Sequence, residues 1–237
     1  MMDSFFLFLL FLITTCTLTV KFGKLTFAGA LTGGVVALAL YFGFGLKGIV
    51  HLAAFFLPAI LATSLHKKQK QAITISNTDE SRRDAYQVLA NGGVEALSAL
   101  LAVLFPSYIS LLSVMMAASF SSALADTLSS ELGTLYGTKF FNILTFKKDK
   151  RGENGVVSIE GFLIGLAGSV LIAVVYMLCF GFDSTFYIIV AAGTFGNLTD
   201  SVLGATLERK RFLNNNQVNF LNTLGAGIFS LLLYVLL

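Results

Sequence analysis

The sequence predicts an all-α, polytopic integral membrane helix bundle of about eight transmembrane helices with both termini outside. Three observations predict it. Of 237 residues, 56% are hydrophobic and 12% charged, and mean hydropathy is +0.82. The apolar residues fall into eight runs, each close to the ~20 residues that a helix needs to cross a bilayer. The basic residues sit almost entirely in alternate loops between those runs, the signature of cytoplasmic loops.

The runs cover about residues 3–20, 26–45, 48–65, 85–104, 108–130, 157–180, 184–207 and 216–237. The first begins Met1, Met2, Asp3, Ser4, without a basic segment or a small-residue cleavage signal. It is therefore expected to be a retained span rather than a secretory signal. Lys21 and Lys24 follow span one, and Lys67, Lys68, Lys70, Arg82 and Arg83 follow span three. Lys139, Lys147, Lys148, Lys150 and Arg151 follow span five, and Arg209, Lys210 and Arg211 follow span seven. Only Lys47, of sixteen basic residues, lies in an even-numbered loop. One domain, 1–237, accounts for the chain, and the clustered charges do not suggest a nucleic-acid partner.

Topology places the polar residues in depth. Span four, with Asn77 and Glu80 offering a capping-box start, carries Arg83, Gln87, Asn91, Glu95 and Ser98 at helical spacing. Span five carries Ser119, Ser122, Asp126, Ser130, Gly133 and Gly137 along one face, and Glu131 beside them. Span seven carries Gly193, Asn197, Asp200, Ser201 and Gly204, and span eight begins with Asn216, Asn219 and Asn222. The stripes are weighted toward the cytoplasmic side and occupy residues 82–98, 119–137, 193–208 and 216–222. With the loop 147–160, they are expected to line one cavity that opens inward.

Amides, hydroxyls and small residues also serve as glue between membrane helices. Carboxylates without a cationic partner at the same depth serve that purpose poorly, so Asp126, Glu131 and Asp200 are expected to bind a divalent cation or to carry chemistry. Asp126 and Glu131 lie about 140° apart on an ideal helix. Either the helix unwinds there, or the two acids do different jobs. A short echo relates Leu124-Ala125-Asp126-Thr127 to Leu198-Thr199-Asp200-Ser201, both in spans that run the same way, which would suit a parallel duplication.

The loop 139–156 supplies five basic residues and then Gly152-Glu153-Asn154-Gly155 ahead of span six, with Glu160 one turn inside. Glycines let backbone amides approach an anion, and Lys147, Lys148, Lys150 and Arg151 can pair phosphate oxygens. The same basic residues also serve as the positive-inside signal or as contacts to anionic lipid. No Walker, dinucleotide or HExxH motif is present, and Cys16 and Cys179 lack metal-ligand spacing. His51 and His66 have no spaced partner, which argues against a hydrolytic triad.

The strings Arg82 to Gly93, Ala125 to Gly133, Gly152 to Ser158, Asp200 to Thr206 and Asn216 to Asn219 are similar, in order and spacing, to the membrane family of domain of unknown function 92. That family includes the transmembrane protein 19 group and a plastid phytyl-phosphate kinase. The resemblance runs from about Lys24 to the C-terminus. Glu153 stands where the family usually has threonine, and Glu208 where glutamine is common.

The resemblance implies an integral-membrane kinase that phosphorylates an isoprenyl monophosphate to the diphosphate with CTP or ATP at a cytoplasm-facing magnesium site. It implies that Asp126, Glu131 and Asp200 hold the metal and carry catalysis. Arg82, Arg83, Lys147, Lys148, Lys150 and Arg151 would grip phosphates, and Gln87, Asn91, Ser130, Gly155, Ser201, Asn216 and Asn219 would orient them. The partners would be an isoprenoid phosphate or lipid-like substrate, a nucleotide and membrane lipids, and the location the plasma membrane of a prokaryote. A transporter for a lipid phosphate or other anion, coupled to protons or a cation through the same carboxylates, is the reading from a different class.

Overall fold

A computed structural model describes residues 2–65 and 82–237, with side chains from Phe5 onward. Among these residues the chain forms eight helices: α1 (Met2–Lys21), α2 (Phe27–Phe44), α3 (Leu46–Ser64), α4 (Ala85–Leu104), α5 (Ile109–Tyr136), α6 (Ile159–Phe180), α7 (Thr185–Leu203) and α8 (Asn215–Leu236). Helices α2 to α8 are long and apolar enough to cross a bilayer, and α1 contributes a shorter apolar stretch, Phe5–Lys21. The protein is an all-α polytopic membrane bundle.

α5 is the hub: 78% of its apolar window is buried, against 28–44% for the other six spans. Small and apolar residues on every side of it let α3, α4, α6, α7 and α8 all pack against it. Phe120 stacks on Phe55 of α3 with ring centroids 5.6 Å apart, and Met116, Leu124, Ile172 and Ile189 fill the surrounding core. Large apolar side chains such as Leu7, Leu57, Leu61 and Val235 point outward, as a lipid solvent requires.

Helices α2, α4, α6 and α8 all begin at the end that carries the basic residues, and each start has a side-chain cap. Thr26 Oγ1 accepts from the Gly29 amide at 3.0 Å and Ser158 Oγ from the Gly161 amide at 3.0 Å. Asp84 with Gln87, and Asn214 with Gln217, form reciprocal capping boxes. The Asn77 and Glu80 box expected from the sequence lies outside the described residues, as do Lys67, Lys68, Lys70 and His66. Asp84 caps α4, and Arg83 precedes the helix instead of riding on its face. Its backbone is stitched to the start of α2: Arg83 N donates to Lys24 O and Thr26 N to Arg83 O, both at 3.0 Å.

α5 runs on to Tyr136, six residues beyond the expected span. The extension is held by α6, because Gly133 and Gly161 cross so closely that a Cβ on Gly133 would lie 2.6 Å from the Gly161 Cα. After α5, the chain forms a small hairpin, β1 (Phe141–Asn142) antiparallel to β2 (Val156–Val157). The end of α7 opens into a π-helical turn at Gly204–Glu208, over which Gly155 is seated against Ala205.

Candidate active site

Because α5 stays helical from Asp126 to Glu131, the two acids face different directions. This settles the geometric question raised by their spacing: two cavities lie beside α5, Asp126 lines both, and Glu131 lines only one.

The smaller cavity, about 180 Å³, lies among the basic-end termini of α2, α3, α4 and α8. Lys24 and Arg83 supply its cations, Gln87, Asn91, Asn215 and Asn219 its amides, and Thr63, Ser64, Thr127 and Ser130 its hydroxyls. Among the described residues, Ile60 is the one apolar side chain in its wall. Lys24 Nζ donates to Ser64 Oγ at 2.7 Å. Desolvation in the wall pushes the Arg83 guanidinium down from its ordinary value, opposed by the charges of Glu131 and Asp126.

The larger cavity, about 430 Å³, lies between α5, α6, α7 and the hairpin. Its polar part holds Asp126, Ser129, Asn197, Asp200, Ser201 and Glu208, and its apolar part includes Phe141, Phe146, Ile159, Phe162 and Leu198. No lysine or arginine lines it among the described residues. Asp126, Ser130 and Asn215 line both cavities, so the two meet there.

Asp126 and Asp200 stand within hydrogen-bonding reach of each other. A chain of contacts fixes Asp200 from behind: Ser122 Oγ donates to Asn222 Oδ1 at 3.0 Å, and Asn222 Nδ2 donates to Asp200 Oδ2 at 2.7 Å. Ser122 lies one turn above Asp126 on α5, so three helices close a ring around the pair. Ser129 Oγ donates to Asn197 Oδ1 at 2.9 Å and joins α5 to α7 beside it.

The residues that carry this ring fall within a region that matches the model of the integral membrane protein DUF92 family, which spans residues 10–227. The chain belongs to the DUF92 family. It is 35% identical to an uncharacterized membrane protein of Methanocaldococcus jannaschii over 87% of this chain and 84% of that one. An uncharacterized membrane protein of Synechocystis is also 35% identical, over 82% of this chain and 77% of the relative. The chloroplastic protein VTE6 of Arabidopsis thaliana is 30% identical over 80% of this chain and 59% of its own length. No solved structure matches the chain.

In this DUF92 protein the residues singled out from the sequence divide into four groups. Arg83, Gln87, Asn91, Glu131 and Asn219 line the smaller cavity, Asp200, Ser201 and Gly155 the larger one, and Asp126 and Ser130 both. Arg82, Lys147, Lys148, Lys150, Arg151 and Asn216 line neither. The three lysines are exposed on the hairpin, and Lys150 faces Glu153 at 3.9 Å. Arg151 is structural: its Nη2 donates to Leu135 O at 3.0 Å and its guanidinium lies 5.3 Å from the Phe140 ring, pinning the hairpin to the end of α5.

A second clamp joins the hairpin to the π turn. Arg209 pairs with Asp149 at 2.8 Å and donates to Asn154 O at 2.5 Å. The Lys150 amide, then Arg209, hold the Asp149 carboxyl below the usual carboxylate range. Sequence reasoning missed Lys24, Asn215, Ser129 and Glu208 as lining residues, and did not give Asn222 its supporting role.

Among the described residues, no three His, Cys, Asp or Glu side chains gather as one metal-binding group. Magnesium does not require that. It is commonly held by one or two carboxylates, with water and substrate phosphate completing the shell. The Asp126–Asp200 pair fits such an ion, because two carboxylates in contact need a cation or a shared proton between them.

Proposed function

We propose that this protein is a magnesium-dependent, integral-membrane kinase that converts an isoprenyl monophosphate to the diphosphate, using a nucleoside triphosphate from the cytoplasm of a prokaryotic cell. The observation that carries the reading is the Asp126–Asp200 pair at the junction of two unlike cavities, one with cations and amides and one half apolar. The kinase membership implied by the family resemblance points the same way.

Phosphoryl transfer asks the protein mainly for alignment and neutralisation of charge. Asp126 and Asp200 would hold magnesium, which would supply positive charge to neutralise phosphate oxygens. Lys24 and Arg83 bind donor phosphates in the smaller cavity, whose 180 Å³ lies below the ~300–1,000 Å³ of small-molecule pockets. That volume admits a phosphate chain and leaves the nucleoside outside. Asn222 and Ser122 hold Asp200 in place while the acceptor phosphate oxygen attacks the terminal phosphorus of the donor. The bond from that phosphorus to its bridging oxygen breaks, and the nucleoside diphosphate leaves with the electron pair. The acceptor oxygen is already ionised, so no side chain must take a proton.

The test is purified protein with magnesium, CTP or ATP, and prenyl monophosphates of several lengths. Diphosphate formation is expected, and Asp126→Asn and Asp200→Asn should each lower kcat at least about a hundredfold, or about 3 kcal/mol, with melting curves showing folded protein. Absence of diphosphate with every donor, alongside transport of labelled prenyl phosphate into liposomes, would sink the kinase reading.

One observation favours the transporter as second reading. Glu95, one turn beyond Asn91, is fully buried, and among the described residues both its carboxyl oxygens lack a hydrogen-bond partner. Such an intramembrane acid suits proton coupling. Proton-driven uptake abolished by Glu95→Gln would support that reading, whereas unchanged kinase turnover in Glu95→Gln would oppose it.

A further inference from the structure

The wall of the larger cavity has an unusual place in the fold. Four of its apolar side chains keep much of their surface uncovered by protein: Phe146 at 75%, Ile159 at 64%, Phe162 at 37% and Leu198 at 37%. Phe162 lies on α6 and Leu198 on α7, both membrane-crossing helices. On helices that cross a bilayer, apolar surface left uncovered by protein suits hydrocarbon. A side chain that lines a cavity and also touches lipid marks the cavity's rim, so this cavity opens sideways into the bilayer.

The rim lies near the basic end of the bundle. Ile159 and Phe162 occupy the first turn of α6, and Leu198 lies on the last turns of α7 before the π turn. Inward from the rim, the lining changes from hydrocarbon to carboxyl, amide and hydroxyl groups at Asp126, Asn197 and Asp200. The 430 Å³ between them falls in the range that small-molecule sites use. A water-soluble ligand gains nothing from a mouth immersed in hydrocarbon. A single-chain amphiphile satisfies both ends, with its head at the carboxyl pair and its chain passing over the rim.

We infer that the cleft between α6 and α7, rimmed by Ile159, Phe162 and Leu198, is a lateral portal through which a long-chain lipid phosphomonoester enters the larger cavity from the adjacent leaflet. This rests on the kinase reading for the identity of the head group. The portal divides the labour of the two cavities: the lipid acceptor arrives from the membrane between α6 and α7, and the donor's phosphates arrive from the cytoplasm past Lys24 and Arg83. Asp126 and Ser130, which line both cavities, face both reactants.

The experiment is photolabelling with a long-chain prenyl monophosphate that carries a diazirine near the phosphate end of its chain, followed by peptide mapping. Label is expected within residues 156–166 and 194–204, displaced by unlabelled prenyl monophosphate. Leu198→Trp with Phe162→Trp should reduce that labelling and long-chain turnover at least about tenfold, with melting curves showing folded protein. Leu198→Ala, which widens the mouth, should keep the labelling and shows that substitution itself does not unfold the site.

Label spread over α1 and other lipid-facing surfaces, label on α3 beside the smaller cavity, or undiminished labelling in the tryptophan variant overturns the portal. Specific labelling of α6 and α7 without phosphorylation by any donor keeps the portal and refutes the kinase. Full long-chain turnover by the tryptophan variant keeps the kinase and refutes the portal.

Discussion

At the scale of single residues, the site depends on Asn222 as much as on the acids it supports. Its amide is fully buried and divides its hydrogen bonds, donating from Nδ2 to Asp200 Oδ2 and accepting at Oδ1 from Ser122 Oγ. Asn222→Ala leaves both neighbours with an unmade bond, which costs about 1–3 kcal/mol per buried group. The expected outcome is a lower melting temperature and a raised magnesium requirement for turnover, with a smaller fall in saturating kcat than Asp200→Asn causes. Asn222→Ala turnover that matches wild type at every magnesium concentration would show that the ring does not position Asp200. Ser122 and Asn222 were visible as polar members of helical stripes. Their partnership was not, because it depends on how three helices meet.

At the scale of elements, what could be read in advance followed the helical period. Gln87 and Asn91, and likewise Asp126 and Ser130, are four residues apart, so helix geometry alone put each pair on one face. Loop residues have no such constraint. Lys24 reaches the smaller cavity because the backbone of Leu25 bridges to Arg83, a contact between segments nearly sixty residues apart that no local pattern announces. Asn215 and Asn216 differ by ~100° on α8, and the sequence alone could not choose between them. The hairpin turns through Phe146, whose φ is +54°, and leaves Lys147 and Lys148 exposed on its outer side. Both departures from the family pattern, Glu153 and Glu208, fall in the larger cavity's lining.

The crossing of α5 and α6 makes a prediction at the same scale. Gly133 and Gly161 bring two backbones together at the level of the site. Gly161→Ala would place a methyl group 3.1 Å from Ser129 O and 3.2 Å from the Gly133 Cα, and the helices must separate to admit it. The expected cost is about 1–3 kcal/mol, as for overpacking elsewhere, read as a lower melting temperature. Gly34→Ala, whose nearest neighbour would be Cys16 Sγ at 3.6 Å, is the control that should leave stability nearly unchanged.

At the scale of the whole molecule, the alternation of helices carries the described terminations rich in Lys and Arg to one end, where both cavities also lie. Lys47, the exception, sits at the other end with its Nζ 4.2 Å from the Phe180 ring. Charge asymmetry of this kind orients a membrane protein with its basic end toward the cytoplasm, which is the orientation expected from the sequence. A kinase requires this, since nucleoside triphosphate is supplied on that side only. The orientation can be measured with Cys16 and Cys179 replaced by alanine and a single cysteine introduced at Lys148, on the hairpin, or at Asp183, between α6 and α7. In intact cells, a membrane-impermeant maleimide should label Asp183→Cys at once and Lys148→Cys only after permeabilisation. The reverse pattern would turn both cavities away from the nucleotide pool, and no arrangement of Asp126, Asp200 and Arg83 would then sustain the proposed reaction.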